Sequence, residues 1–343
     1  MRTAVIMGMH LNVPDLELLD DGAREHRIRV WWTAYMFDRM WAIKMGYPAA
    51  VNDIDIEVDL PSNKYVDCGG DFADPTLFVA MIQLARVSGG VIHSIYHKNA
   101  RQTTLSRRVH DSLSALTQWR TDLPPSLRLD PATEGTRDHR AESMHLLFNQ
   151  LVVTATRPIL LHIFRTRLKA KETGTPASIP DFASALSNAC IQCARHSCQI
   201  LTDAWLRGTF MTFDYFYTQY LFSAATVLAI SSLLDDQDSQ ADRDSFDTAV
   251  QFITQLRDSG NFAAAEFGQH VDAMTSLFAS VEAKTQPHGS DLAAARMQSF
   301  AADSVLADSL SSSLLAEPAL DLDFINASLE TDSTLGLYWP SFS

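Results

Sequence analysis

An all-α fold, a multi-helix domain followed by a disordered acidic tail, is what this sequence predicts. Three observations carry that reading. Apolar residues recur at three- and four-residue spacings through most of positions 1–286, where helix formers such as Ala and Leu are abundant. Period-two alternation is confined to Ile54-Asp55-Ile56-Glu57-Val58-Asp59-Leu60, which stops at Pro61 and reads as an extended loop edge rather than a sheet strand. From Pro287 onward Ser, Ala and Asp dominate, a composition that cannot bury enough apolar surface to fold alone.

The elements follow in order. Met1 to His10 (MRTAVIMGMH) is apolar but too short for a secretory signal. Asp20 and Asp21-Gly22 can cap a helix that ends at Gly46-Tyr47-Pro48. Asp74-Pro75 places a capping residue before a proline and opens a helix toward Lys98. The next runs from about Thr104 to Thr121 and stops at Leu123-Pro124-Pro125. From Arg140, the residues Met144, Leu147, Phe148 and Leu151 recur at helical spacing. Pro158 predicts a kink there, with continuation to Leu168. Lys171 to Ser178 reads as a loop, and Pro180-Asp181 starts another helix. Phe213 to Leu234 is the most apolar helix and is expected at the centre. Two further helices follow a polar turn at Asp235 to Asp244 and are broken at Ser259-Gly260-Asn261.

Bulk properties exclude some functions. The chain has 343 residues, 46% of them apolar, enough for one large domain or two ordinary ones. Its net charge of −14 argues against this chain by itself wrapping nucleic acid or an anionic membrane. Eight Asp/Glu against one Arg lie beyond Pro287, so a net −7 sits in the tail. No uninterrupted apolar run approaches a membrane span, and four cysteines do not make a disulfide framework, so an intracellular protein with no membrane partner is expected.

The segment from Arg24 to Pro61 carries the most information. With Trp31 taken as the centre of the apolar face, Ile28, Trp32, Tyr35 and Ala42 fall on the same side, and so do Asp38 and Arg39. Charges on a buried face need partners, and neighbours in sequence do not face each other on a helix. The acidic loop holding Asp53, Asp55, Glu57 and Asp59 is the expected partner of Arg39.

These residues resemble the fungal-specific transcription factor domain, the middle regulatory region of fungal binuclear zinc-cluster proteins. The resemblance rests on His26 to Trp32 (HRIRVWW, including Arg29, Trp31 and Trp32), Tyr35, Asp38-Arg39, Gly46-Tyr47-Pro48, the Asp53-Ile54-Asp55-Ile56 step and Leu60-Pro61. A weaker likeness runs through Trp119-Arg120, Leu123-Pro124-Pro125, Arg157-Pro158 and Leu221 to Leu234, covering most of 1–285. The family's six cysteines, which hold two zinc ions and grip DNA, have no counterpart here. The chain therefore reads as starting inside the regulatory domain, with no cofactor of its own and DNA reached only through a missing module or a partner.

What the resemblance implies is a nuclear regulator of RNA polymerase II transcription. Its expected partners are transcription coactivators, a homo- or heterodimer mate and a small-molecule effector between helices. The tail would act as an activation segment through Leu322, Phe324, Leu337, Tyr338, Trp339 and Phe342, apolar islands in an acidic background that fold on contact with a coactivator groove.

Rival readings are weaker. Cys190, Cys193 and Cys198 with His196 span too broad a face for one straight helix to wrap around zinc. Asp20-Asp21 and Asp235-Asp236-x-Asp238 resemble the magnesium-binding carboxylates of all-α terpene cyclases, but they lie before and after helices rather than inside a cavity. Asp53, Asp55, Glu57 and Asp59 have no histidine or serine at a telling spacing, so no catalytic residue is assigned. Arg101, Arg107, Arg108, Arg165, Arg167, Lys169 and Lys171 read as solvated helix surface before nuclear import. A non-DNA-binding partner of a full-length regulator stands as a further alternative.

Overall fold

The computed structural model describes residues 1–12, 20–45, 48–63, 72–96, 105–128, 139–177, 179–234 and 237–285. The tail with its six candidate activation residues, and Gly46-Tyr47, lie outside these. Among the described residues the fold is all-α: α1 (Arg2–Ile6), α2 (Asp21–Met45), α3 (Thr76–Tyr96), α4 (Leu105–Asp122), α5 (His139–Thr173), α6 (Asp181–Leu206), α7 (Tyr215–Ser232), α8 (Ser239–Asp258) and α9 (Phe262–Thr285), with short 3₁₀ turns at Asp53–Asp55 and Pro125–Leu127. No strand occurs among them. The expected helices are present, and α5 continues helically through Pro158 to Thr173, beyond the expected end at Leu168.

Two compact units divide the chain, the first covering Met1–Met144 and the second starting at His145. In the first, α3 packs against both α2 and α4. The core joins Ile28, Trp31, Trp32 and Tyr35 of α2 to Ile82 and Ala85 of α3 and to Val58 of the extended loop. From Ile56 on, the alternation read from the sequence works as pleating does: Ile56, Val58 and Leu60 turn inward onto this core, while Glu57 and Asp59 are exposed; Ile54, in the 3₁₀ turn, is exposed instead of inward. Arg108 of α4, expected on the surface, is buried and donates to the Ser94 carbonyl at 2.7 Å. Trp119 of α4 donates its indole N–H to the Ala80 carbonyl of α3 at 3.0 Å.

In the second unit every residue of α7 from Tyr217 to Ser231 is buried, as expected of a central helix. Helices α6, α8 and α9 pack around it. Asp214 caps α7 by accepting from the Tyr217 N–H at 3.0 Å. Gly260 takes φ +87° between α8 and α9, a left-handed conformation that glycine adopts without steric cost. Asn261 then caps α9 by accepting from the Ala264 N–H at 2.7 Å. Parallel ring pairs tie the layers: Phe222 with Phe267 at 4.6 Å and Trp205 with Phe252 at 4.4 Å between ring centres. Arg167 of α5, also expected on the surface, donates to the Leu234 carbonyl at 2.6 Å.

Among the described residues two helical stretches, Thr76–Ile95 and Arg140–Lys171, are by length and composition apolar enough to cross a membrane, although charged side chains such as Arg86 and Arg157 interrupt both. The apolar window of the second is 94% buried within the protein and that of the first 39% buried. A core helix wrapped by its neighbours passes the same test of composition as a membrane span, so the test alone is weak.

Candidate functional site

The residues singled out in α2 and the loop after it converge on one joint. Arg39, buried on α2, donates through Nη2 to Asp53 Oδ1 at 2.5 Å and to the Val51 carbonyl at 2.8 Å. Tyr35, one turn earlier, donates its hydroxyl to the same Asp53 oxygen at 2.7 Å. The Arg39 guanidinium lies 4.7 Å from the Tyr35 ring centre, a cation–π arrangement. Gly89 of α3 lies opposite; a Cβ there would meet Arg39 at 3.9 Å. Burial pushes the Tyr35 phenol up to about 12, helped by its bond to the Asp53 carboxylate. Burial alone would lower Arg39, but Tyr35 and Asp53 outweigh it and raise its pKa, so the arginine stays charged.

The rest of the motif surrounds this clasp. Trp32 donates its indole N–H to the Asp59 carbonyl at 2.8 Å, and the Arg86 guanidinium covers its ring at 4.8 Å. Glu25 is buried, accepts from Arg29 Nε at 2.6 Å and receives the Ser62 N–H at 3.3 Å. Arg29 also donates to the Ala73 carbonyl at 2.8 Å and covers the Phe72 ring. Leu60 packs on the core and Pro61 is buried, while Pro48 is exposed. Asp55 is exposed, at the rim of a groove of about 520 Å³ lined also by His10, Asn52 and Glu57. The N-terminal segment closes the joint: the His10 carbonyl accepts from both the Glu57 N–H at 2.9 Å and the Val58 N–H at 3.0 Å.

Asp38 is a correction. It is half-buried and accepts from the Ala50 N–H at 3.0 Å, so it is a cap on the loop and not a charge inside the core. Trp31 sits at the edge of the inner face, whose centre is the 4-3-4 line Ile28, Trp32, Tyr35 and Arg39; centring on Trp31 rotated Asp38 inward. Ala42 is likewise only half-buried.

A second charged cluster was not visible in the sequence. Arg195 of α6 donates to both oxygens of Asp242 of α8, at 2.6 and 2.7 Å, and to Asp238 at 2.8 Å. Ser231 of α7 donates to Asp242 Oδ2 at 2.6 Å. The Asp242 side chain is 2% exposed and that of Arg195 26%. The Asp242 bond is the main reason Arg195 is held above its ordinary range. The two residues lie 47 positions apart, and no local spacing signals such a pair. With these donors in place the Asp242 carboxylate is satisfied, which makes the cluster a structural tie among α6, α7 and α8.

Two of the five carboxylates a cyclase would need are otherwise engaged: Asp20 accepts from the Ala23 N–H at 2.6 Å and Asp238 meets Arg195; Asp21 is exposed at the start of α2, and Asp235 and Asp236 lie outside the described residues. The cysteines do not fit zinc. Burial pushes Cys190 up to about 12 and Cys198 up to about 11, so both are thiols, and among the described residues no three His, Cys, Asp or Glu side chains gather to hold a metal.

The clasp lies within a segment shared with known proteins. Residues 1–121 match the fungal specific transcription factor domain. An uncharacterized transcriptional regulatory protein of Schizosaccharomyces pombe is 24% identical over 271 residues, 77% of this chain and 32% of that protein. The Fusaridione A cluster transcription factor fsdR of Fusarium heterosporum is 22% identical over 247 residues, 71% of this chain and 46% of that protein. Transcription factor PDR1 of Saccharomyces cerevisiae is 37% identical over 70 residues, 20% of this chain and 6% of that protein. The chain thus spans about a third to a half of the first two relatives named. No solved structure matches. The family resemblance carried by the α2 segment is borne out for residues 1–121.

Proposed function

We propose that this chain, whose residues 1–121 match the fungal specific transcription factor domain, regulates transcription in the nucleus as a regulatory part that does not itself read DNA. The carrying observation is that match, reinforced by relatives named as transcriptional regulators across 71% and 77% of the chain. DNA contact comes from a partner or from residues outside this sequence, because the sequence holds four cysteines and the family's zinc module needs six. The tail from Pro287 supplies the activating contact through Leu322, Phe324, Leu337, Tyr338, Trp339 and Phe342, with its net −7 speeding encounter with a basic coactivator. The clasp of Arg39, Tyr35 and Asp53 fixes the first unit in the form that partners recognise.

The test fuses the whole chain, and separately residues 287–343, to a heterologous DNA-binding domain beside a reporter. Increased reporter output from the tail fusion is expected. A tail fusion that reaches the nucleus intact and leaves the reporter silent removes the activation claim. Absence of any effect, up or down, from the whole-chain fusion removes the regulatory one. A small-molecule enzyme is the opposing reading, and the engagement of Asp20 and Asp238 weighs against it.

A further inference from the structure

The loop that joins α5 to α6 presents one hydroxyl in an unusual setting. Thr175-Pro176 is the single Ser/Thr-Pro pair in the sequence. Helix α5 ends at Thr173, and Gly174 follows at φ +68°. That left-handed residue turns the chain away from the helix, and the Thr175 N–H closes the end by donating to the Ala170 carbonyl at 3.1 Å. Pro176 then disfavours the helical region for Thr175 and favours an extended backbone there. Thr173, Gly174, Thr175, Pro176 and Ala177 are all exposed. Such loops are where enzymes that act on a folded chain gain access to it.

The hydroxyl of Thr175 is also placed to act as a nucleophile. Thr173 donates its O–H to the Lys169 carbonyl at 2.9 Å. The 2.7 Å contact between the Thr173 and Thr175 hydroxyl oxygens is therefore donated by Thr175, whose lone pairs stay available for attack on phosphorus. Exposed hydroxyls within helices differ. Those of Thr33, Thr121 and Ser276 donate to the carbonyl one turn earlier, on backbone already wound into a helix.

The surrounding charge gives a phosphate there its consequence. Arg165, Arg167, Lys169 and Lys171 lie on the last turns of α5, against the one carboxylate of Glu172. A phosphate on Thr175 carries about −2 and offsets most of this positive surplus. It stands just beyond the carbonyl end of α5, where negative charge is unfavourable by itself, so the lysines of the last turns are drawn to it.

We propose that Thr175 is a phosphorylation site for a proline-directed protein kinase, and that its phosphate moves the basic end of α5 toward neutrality. In the transfer Thr175 Oγ1 attacks the γ-phosphorus of ATP. The new O–P bond forms as the bond from that phosphorus to the β,γ-bridging oxygen breaks, ADP leaves, and the hydroxyl proton passes to the carboxylate base of the kinase.

Incubating the whole chain with a mitogen-activated protein kinase, ATP and magnesium tests this. Uptake of one phosphate per chain, mapped to Thr175 by fragmentation mass spectrometry, is expected. Thr175→Val should take up none, with Thr175→Ala as the substitute should the valine variant fail to fold. Pro176→Ala keeps the hydroxyl and should be modified about tenfold more slowly or worse, because the kinase pocket loses the proline ring. Labelling of Lys169 and Lys171 by an amine-reactive ester should slow by about twofold or more in the phosphorylated chain, since a nearby anion favours the unreactive ammonium form. No uptake, a phosphate found only on other residues, or Pro176→Ala modified as fast as the parent overturns the site. Unchanged lysine labelling overturns the charge switch. The outcome is independent of the reporter assay, so failure of one reading does not touch the other.

Discussion

The two charged ties, Arg39 with Asp53 in the first unit and Arg195 with Asp242 in the second, are built the opposite way round. In the first, the arginine side chain is 8% exposed and the aspartate 46%. In the second, the aspartate is 2% exposed and the arginine 26%. The buried member of an ion pair sets the cost of breaking it, because it is left without solvent when its partner goes. The exposed member simply rehydrates. Similar contact distances therefore hide opposite sensitivities.

The largest expected effect is Arg195→Met, which strands Asp242 in the core with only Ser231 for company. We expect a loss of about 3–5 kcal/mol, read from denaturant melts, and a midpoint unchanged within error would break the comparison. Asp53→Ala is next. It leaves Arg39 buried with the Val51 carbonyl as a remaining acceptor, for a loss of about 2–3 kcal/mol. Its mirror, Arg39→Met, keeps volume on Tyr35 and lets Asp53 hydrate, so we expect at most about 1 kcal/mol. If Arg39→Met proved costlier than Asp53→Ala, the asymmetry drawn from exposure would be wrong.

Alkaline pH sharpens the same contrast. A group whose pKa is raised on folding contributes stability that is complete below its unfolded value and lost as pH climbs to its folded value. Cys198 rises from 9.0 to about 11 and Cys190 from 9.0 to about 12, both in the second unit. Tyr35 rises from 10.0 to about 12 in the first. Stability should therefore begin to fall near pH 9 in the second unit and near pH 10 in the first. Hydrogen exchange followed by unit across that range checks the order. The smallest effect is Asp38→Asn, which keeps an acceptor for the Ala50 N–H; about 0.5–1 kcal/mol is expected in a thermal melt.

Much of this was legible because helices announce themselves locally. Capping residues such as Asp20 and Asp74 and the Gly260-Asn261 break are short-range signals, and the helices fall where they point. The loop as partner of Arg39 was legible for a related reason: a charge on an apolar face demands a counterpart, and the acidic step begins 14 residues on. The Arg195 cluster was not, since its members meet only after α6, α7 and α8 pack.

The His10 carbonyl has a consequence for how such proteins diverge. The N-terminal turn is stitched to the loop and to α2 through main-chain atoms as well as side chains: Glu57 and Val58 donate to the His10 carbonyl, Arg27 reaches the Gly8 carbonyl at 2.7 Å, and the Asn12 amide bonds the Glu57 carbonyl at 2.8 Å. Main-chain stitching constrains path and length while leaving most side-chain letters open to drift. Only Gly8, at φ +63°, is held to its identity by the backbone. Along the main-chain part of this seam an insertion of one residue, which shifts every later carbonyl out of register, would do more harm than a substitution.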